Sequence, residues 1–168
     1  MKRINLRKFL TGILLLGFLL TLGGCTEGLA VGGPAPDFNL YLVNWQEKTI
    51  SRDQLRGYPI VIAFWTTWCP HCEAQQPYLI DAARRYSKAV IFLGVDVQED
   101  ERTVKNYLSE NPLPYPVAVD PMGVTAGDYE VSGFPTTYFV DAEGNIAAVH
   151  VGELTEESLE NYLQELIK

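Results

Sequence analysis

The feature that most constrains this chain is a pair of cysteines two residues apart, Cys69-Pro70-His71-Cys72, set just after an apolar, β-branched run, Ile60-Val61-Ile62-Ala63-Phe64. The run reads as a buried strand. The residues after Cys72 (Glu73, Ala74, Gln75, Gln76 and, past Pro77, Leu79, Ala82, Ala83 and Tyr86) read as a helix. A Cys-X-X-Cys at a strand-to-helix junction has a mechanical logic. Its first thiol lies at a helix N-terminus, where unpaired N–H groups and the helix dipole favour negative charge. Thiolate is the nucleophilic form of cysteine, so this placement activates the sulfur. The second cysteine lies one turn along and can attack a mixed disulfide made by the first.

Two other readings compete with redox chemistry. The pair could be half of a zinc site, but zinc takes four ligands, and the remaining candidates are Cys25, His71 and His150. The pair could also be a purely structural disulfide. A bridge across one helical turn closes so small a loop that it constrains the unfolded chain little.

Phe64-Trp65-X-X-Trp68-Cys69-X-X-Cys72, with Pro77 five residues further on, resembles thioredoxin. A second signature follows in Val131-Ser132-Gly133-Phe134-Pro135-Thr136-Thr137-Tyr138-Phe139-Val140-Asp141. Gly33-Pro34-Ala35-Pro36-Asp37-Phe38 is similar to the lead-in of the extracytoplasmic, membrane-anchored branch of that superfamily, the TlpA/ResA-like redoxin group, and of peroxiredoxins. The resemblance covers residues 31 to 168. It implies an α/β thioredoxin fold: a central mixed sheet flanked by helices, with an N-terminal β-hairpin and a central βα insertion. It implies a thiol–disulfide oxidoreductase with a Cys69–Cys72 redox disulfide and no cofactor or metal. Pro135 matches the cis-proline that faces the active site in this family, where the residue before it, here Phe134, offers its backbone to a bound peptide. Trp68 and Pro70 stand at the family's active-site positions.

The first 24 residues read as an address. Lys2, Arg3, Arg7 and Lys8 form a basic start, and Phe9 to Leu22 is a 14-residue apolar stretch. That length suits a signal peptide better than a bilayer span. Leu22-Gly23-Gly24-Cys25 resembles the lipobox of bacterial lipoproteins, in which the cysteine is lipidated and becomes the first residue. An uncleaved signal anchor is the alternative. Both place the rest of the chain on the outer face of a bacterial membrane. Residues 25–33 read as a tether and 34–168 as one domain. Cys25 then takes no part in redox work. With the four leader cations removed, 9 basic residues face 21 acidic ones, net −12. Such a surface repels nucleic acid. The expected partners are client proteins with cysteines or disulfides and a membrane redox partner.

Along the domain, residues 38–42 and Thr49-Ile50 read as a hairpin. Ser51 is placed to cap a short helix, with Gln54 completing a capping box and Gly57 ending it. Ala89 to Val97 reads as a second buried strand beside the first. The acids of Gln98-Glu99-Asp100-Glu101 open a helix. Val117 to Val119 is a short strand and 124–129 a short helix. Residues 136–140 and 146–151 form a hairpin. A last helix starts at Thr155, with Leu154 and Leu159 as a hydrophobic staple and Leu159, Tyr162, Leu163, Leu166 and Ile167 as its apolar face.

Two departures from the family pattern bear on mechanism. Many thioredoxins carry a buried acid where this chain has Ala63, and the cytochrome-maturation thioredoxins carry a glutamate where it has Gln75. Both acids move the proton of the second cysteine in those relatives. Glu73 is near in sequence but points elsewhere on the helix. His71 makes the loop read Cys-Pro-His-Cys, as in periplasmic disulfide-forming oxidants. A thiol peroxidase is a second possibility, since Thr66 precedes Cys69 by three, although Ile62 stands where that family has proline. A copper-binding metallochaperone using Cys69, Cys72 and a histidine is a third.

Overall fold

The computed structural model describes residues 29–168. The leader expected over 1–24, the candidate lipidation site Cys25 and the start of the tether lie outside the described residues. Seven strands form one mixed sheet: β1 (Asn39–Leu42), β2 (Thr49–Ser51), β3 (Ile60–Trp65), β4 (Ile91–Val97), β5 (Val117–Asp120), β6 (Thr136–Val140) and β7 (Ile146–Val151). Their spatial order is β2-β1-β5-β4-β3-β6-β7. Four helices accompany them: α1 (Pro70–Arg85), α2 (Glu101–Glu110), α3 (Val124–Asp128) and α4 (Glu156–Leu166).

The central strands are the ones whose sequences are apolar throughout. Every residue of β3 is buried, and β4 is buried from Phe92 to Val97. A strand covered on both faces carries apolar residues continuously rather than alternately, as in parallel sheets sandwiched by helices. β3 runs parallel to β4 and antiparallel to β6. The outer strand β1 alternates instead, with Leu40 and Leu42 inward and Asn39 and Tyr41 outward.

Two cores result. Val61, Ala63, Trp65 and Phe92 face α1, α2 and α4, and Cys69 and Cys72 belong to this cluster. Ile60, Ile62, Phe64, Leu93, Val95 and Val97 face the hairpin and α3. Alternation along each strand therefore decides which core a residue joins. Trp65 crosses over β4 because Gly94 has no side chain: a Cβ there would come within 3.2 Å of Trp65 Nε1.

Local signals set the boundaries. Ser51 and Gln54 form the expected capping box on a 3-10 turn, Arg52–Leu55. Asp100 caps α2, accepting from the Thr103 N–H at 2.8 Å. Thr155 caps α4, and Leu154 and Leu159 are both buried beneath it. α1 continues through Pro77 as one helix. One expectation fails at the chain end. Ile167 follows α4 and is 40% exposed, because the helix stops at Leu166 and its apolar face stops with it.

Candidate active site

β3 ends at Trp65, and Thr66-Thr67-Trp68 turn the chain into α1. Cys69 is the N-cap of that helix and Pro70 its first residue, where the missing proline N–H has no helical partner to lose. Cys69 and Cys72 are joined by a disulfide, with Cα atoms 5.2 Å apart. The backbone N–H of Cys72 donates to Cys69 Sγ at 3.2 Å. A cap side chain normally offers oxygen to this orphan donor. Here sulfur takes the place, so negative charge on Cys69 would meet an N–H and the positive end of α1. Cys69 is 6% exposed and Cys72 1%, so an incoming group reaches Cys69 first.

Trp68 stands out from the surface at 68% exposure and meets Phe134 edge-on, with ring centroids 6.4 Å apart. Phe134 also packs against the cluster that holds the cysteines. The Phe134–Pro135 peptide bond is cis. Pro135 is buried, and its carbonyl accepts the Gly152 N–H at 2.8 Å. A cleft of about 300 Å³ opens beside Phe134, walled by Val97, Gly123, Ala126, Val131 and Gly133. Six of the residues singled out from sequence (Trp68, Cys69, Pro70, Cys72, Phe134 and Pro135) thus belong to one locus around the start of α1.

His71 points outward and contacts Glu153, its Nδ1 2.9 Å from a carboxylate oxygen. Glu153 sits in the turn between β7 and α4, out of reach of any sequence-local argument. His150 lies near Tyr162 and the Glu153 carbonyl, at 3.4 and 3.3 Å. Among the described residues, no three His, Cys, Asp or Glu side chains gather into a group that could hold a metal ion.

The proton-handling positions are more informative. Ala63 lies between Gly94 on β4 and Thr137 on β6. Gln75 is fully buried, and its side-chain carbonyl accepts the Leu154 N–H at 3.0 Å. It ties α1 to the β7–α4 turn in uncharged form. Glu73 is exposed on the first turn.

Two acids that sequence reasoning passed over are close by. Glu99 does not serve the α2 N-terminus, which Asp100 caps. Its carboxylate accepts from the Thr67 N–H at 2.6 Å and the Thr67 hydroxyl at 2.7 Å, clamping the loop that leads into Cys69. Nothing local in the sequence signals this contact across 32 residues. Asp96 is fully buried on β4 directly beside Trp65, and neither carboxylate oxygen has a hydrogen-bond partner among the described residues. Burial, aided by the neighbouring Glu99 carboxyl, pushes its pKa up to about 8. A lone carboxylate in an otherwise apolar strand was the available signal.

A sheet of this topology that presents a disulfide-forming Cys-X-X-Cys at a helix N-terminus is a thioredoxin-fold thiol–disulfide oxidoreductase. The chain belongs to the AhpC/TSA family, whose model matches residues 31–149. It is 34% identical to the thiol-disulfide oxidoreductase ResA of Bacillus cereus, over 83% of this chain and 80% of the relative. Among solved structures it is similar to a thiol:disulfide interchange protein of the thioredoxin family from Chlorobium tepidum. That match has a TM-score of 0.72 and 26% identity, and covers 81% of this chain and 97% of the other. It is also similar to the pneumococcal exposed lipoprotein thioredoxin of Streptococcus pneumoniae. Here the TM-score is 0.70 at 28% identity, covering 78% and 100%.

Proposed function

We propose that the protein is a lipid-anchored thiol–disulfide oxidoreductase on the extracytoplasmic face of the bacterial membrane, acting on cysteines of secreted or membrane proteins. The observation that carries this reading is the N-cap position of Cys69, whose sulfur receives the Cys72 N–H while Cys72 itself is enclosed. Cys69 is the attacking sulfur and Cys72 the releasing one. A client segment would lie along Trp68 and Phe134, with the Phe134 backbone and the cleft beside it as contact surface. A membrane redox partner returns the pair to its working state. The acidic mature surface, net −12 without the leader, gives no footing to nucleic acid.

The anchoring half of the proposal rests on Leu22-Gly23-Gly24-Cys25 after a basic, apolar leader. The name of the pneumococcal relative, a lipoprotein, supports it. Division of the chain into leader (1–24), tether (25–33) and domain (34–168) follows from it. Mature protein is expected to partition into detergent and to begin at a diacylglycerol-modified Cys25. Intact-mass analysis that found Met1 retained, or an unmodified Cys25, would overturn the lipoprotein assignment.

Direction of electron flow turns on His71. Positive potential near Cys69 favours thiolate, stabilises the reduced pair and makes the disulfide more oxidising. The Glu153 carboxylate beside the imidazole works against this. His71→Pro is expected to lower the thiolate fraction at neutral pH and make the couple more reducing by about 30 mV or more. Glu153→Gln is expected to shift it the other way. Equilibration with glutathione measures the potential, and thiolate absorbance against pH measures the charge independently. If neither variant moves either quantity, His71 does not tune the pair and an oxidising role loses its support.

A further inference from the structure

The dithiol reaction needs a place for a proton. When Cys72 attacks Cys69 Sγ of a mixed disulfide, its S–H bond breaks as the Cys69–Cys72 bond forms. The client sulfur then leaves with the electron pair of the broken S–S bond. The chain has no acid at Ala63 or Gln75 to receive that proton.

Asp96 has what those positions lack. It follows Phe92 and Gly94 on the β4 face that turns toward α1, the face that carries Ala63 and Trp65 on β3. Those side chains share one cluster with Cys69 and Cys72. From Asp96 this face runs past Gly94, over which the Trp65 indole lies with Tyr115 and Val117 beside it, to Ala63 on β3. Buried polar atoms without partners gather along it: both Asp96 oxygens, the Trp65 indole N–H and the Thr137 hydroxyl. Orphan buried groups are rare in folded proteins and mark sites of strain or function.

Among the described residues, none of the groups that shift Asp96 is a cation. Glu99 faces it from the loop after β4. β3 brings Trp65 and β5 brings Val119. α2 brings Tyr107 against the Trp65 ring, at 5.3 Å between centroids. α1 brings the two cysteines and, on its outer side, Glu73. Asp120 on β5 is turned to α3, whose Val124 and Ala126 N–H groups it accepts.

We propose that Asp96 is the proton store of the dithiol centre. As a carboxylate it takes up the Cys72 proton, relayed by water, during release of the client. As a carboxylic acid it returns that proton when the Cys69–Cys72 disulfide is next opened. An acid held near pH 8 by burial is suited to both directions at neutral pH. The proposal rests on Cys69 as attacking and Cys72 as releasing thiol.

The test uses the reduced full-length protein and oxidised glutathione, followed by tryptophan fluorescence in stopped flow. Two phases are expected: a second-order attack by Cys69 and a first-order release by Cys72. In wild type the release rate should rise with pH and level off near 8. Asp96→Asn should slow release at pH 7 by about tenfold or more, remove that inflection and leave the attack phase unchanged. Asp96→Glu should restore part of the inflection. A release step in Asp96→Asn with the wild-type rate and pH profile would overturn the proposal. So would an equal slowing of both phases accompanied by lost secondary structure, which would mark Asp96 as structural. Absence of the attack phase in wild type would instead overturn the assignment of Cys69.

Discussion

Replacing Cys69 with serine is expected to lower disulfide exchange by about 10³-fold or more, because a hydroxyl at a helix N-terminus stays protonated where a thiol ionises. Cys72→Ser should behave differently. It keeps the attacking sulfur and its place at the N-cap, but loses the group that clears the mixed disulfide. It should react once with a disulfide probe and then hold the client as a covalent adduct visible by mass. The asymmetry follows from geometry: Cys69 is the more accessible sulfur and the acceptor of the Cys72 N–H, while Cys72 is enclosed by the core. If Cys69→Ser accumulates the adduct and Cys72→Ser does not, the roles are reversed.

The second large effect is on stability. Asp96 has its folded pKa raised to about 8, against an unfolded value near 4. A carboxyl raised on folding contributes stability that is fully present below the unfolded pKa. That contribution is lost as pH climbs from about 4 to about 8, because ionisation inside the core is opposed and ionisation in the unfolded chain is not. Four units at about 1.4 kcal/mol each set an upper bound of about 6 kcal/mol. Relaxation around the ionised group reduces it, and about 2–4 kcal/mol is expected. Oxidised wild type and oxidised Asp96→Asn should therefore unfold at similar denaturant concentrations only at about pH 4 and below. The variant should gain steadily over wild type up to pH 8 and hold its advantage above it. Using the oxidised forms keeps both thiols out of the titration. Parallel pH–stability curves would show that Asp96 is not a raised acid.

Most of the architecture was legible because its signals are local. Continuous apolar runs marked β3 and β4, the capping residues Ser51 and Thr155 marked helix starts, and Leu154 with Leu159 marked the staple of α4. The Cys-X-X-Cys and the Phe134-Pro135 loop were recognisable as motifs although 61 residues separate Cys72 from Phe134. What stayed hidden were contacts made by side chains whose partners are distant in the chain. Glu99 looked like one acid among three opening α2, yet Gln98 adopts a positive φ of 62° and Glu99 is left facing Thr67. Gln75 looked like a missing glutamate, yet it is the buried acceptor for the Leu154 N–H. His71 was readable as a charge near Cys69, but not as one faced by Glu153.

The order of elements, the nature of the reactive pair and the cysteine that begins the helix are all written in the chain locally. Each of these depends on hydrophobic period, capping chemistry and spacing within a few residues. What surrounds the pair depends on how the strands and helices come together. Parallel pairing of β3 and β4 sets Asp96 beside Trp65, and the alternation of side chains turns it toward the α1 face rather than the other core. A carboxylate one residue earlier or later on β4 would have joined the opposite core. Its burial and its raised pKa are properties of that register. No window of neighbouring residues encodes them, because the groups that desolvate Asp96 come from other strands and helices.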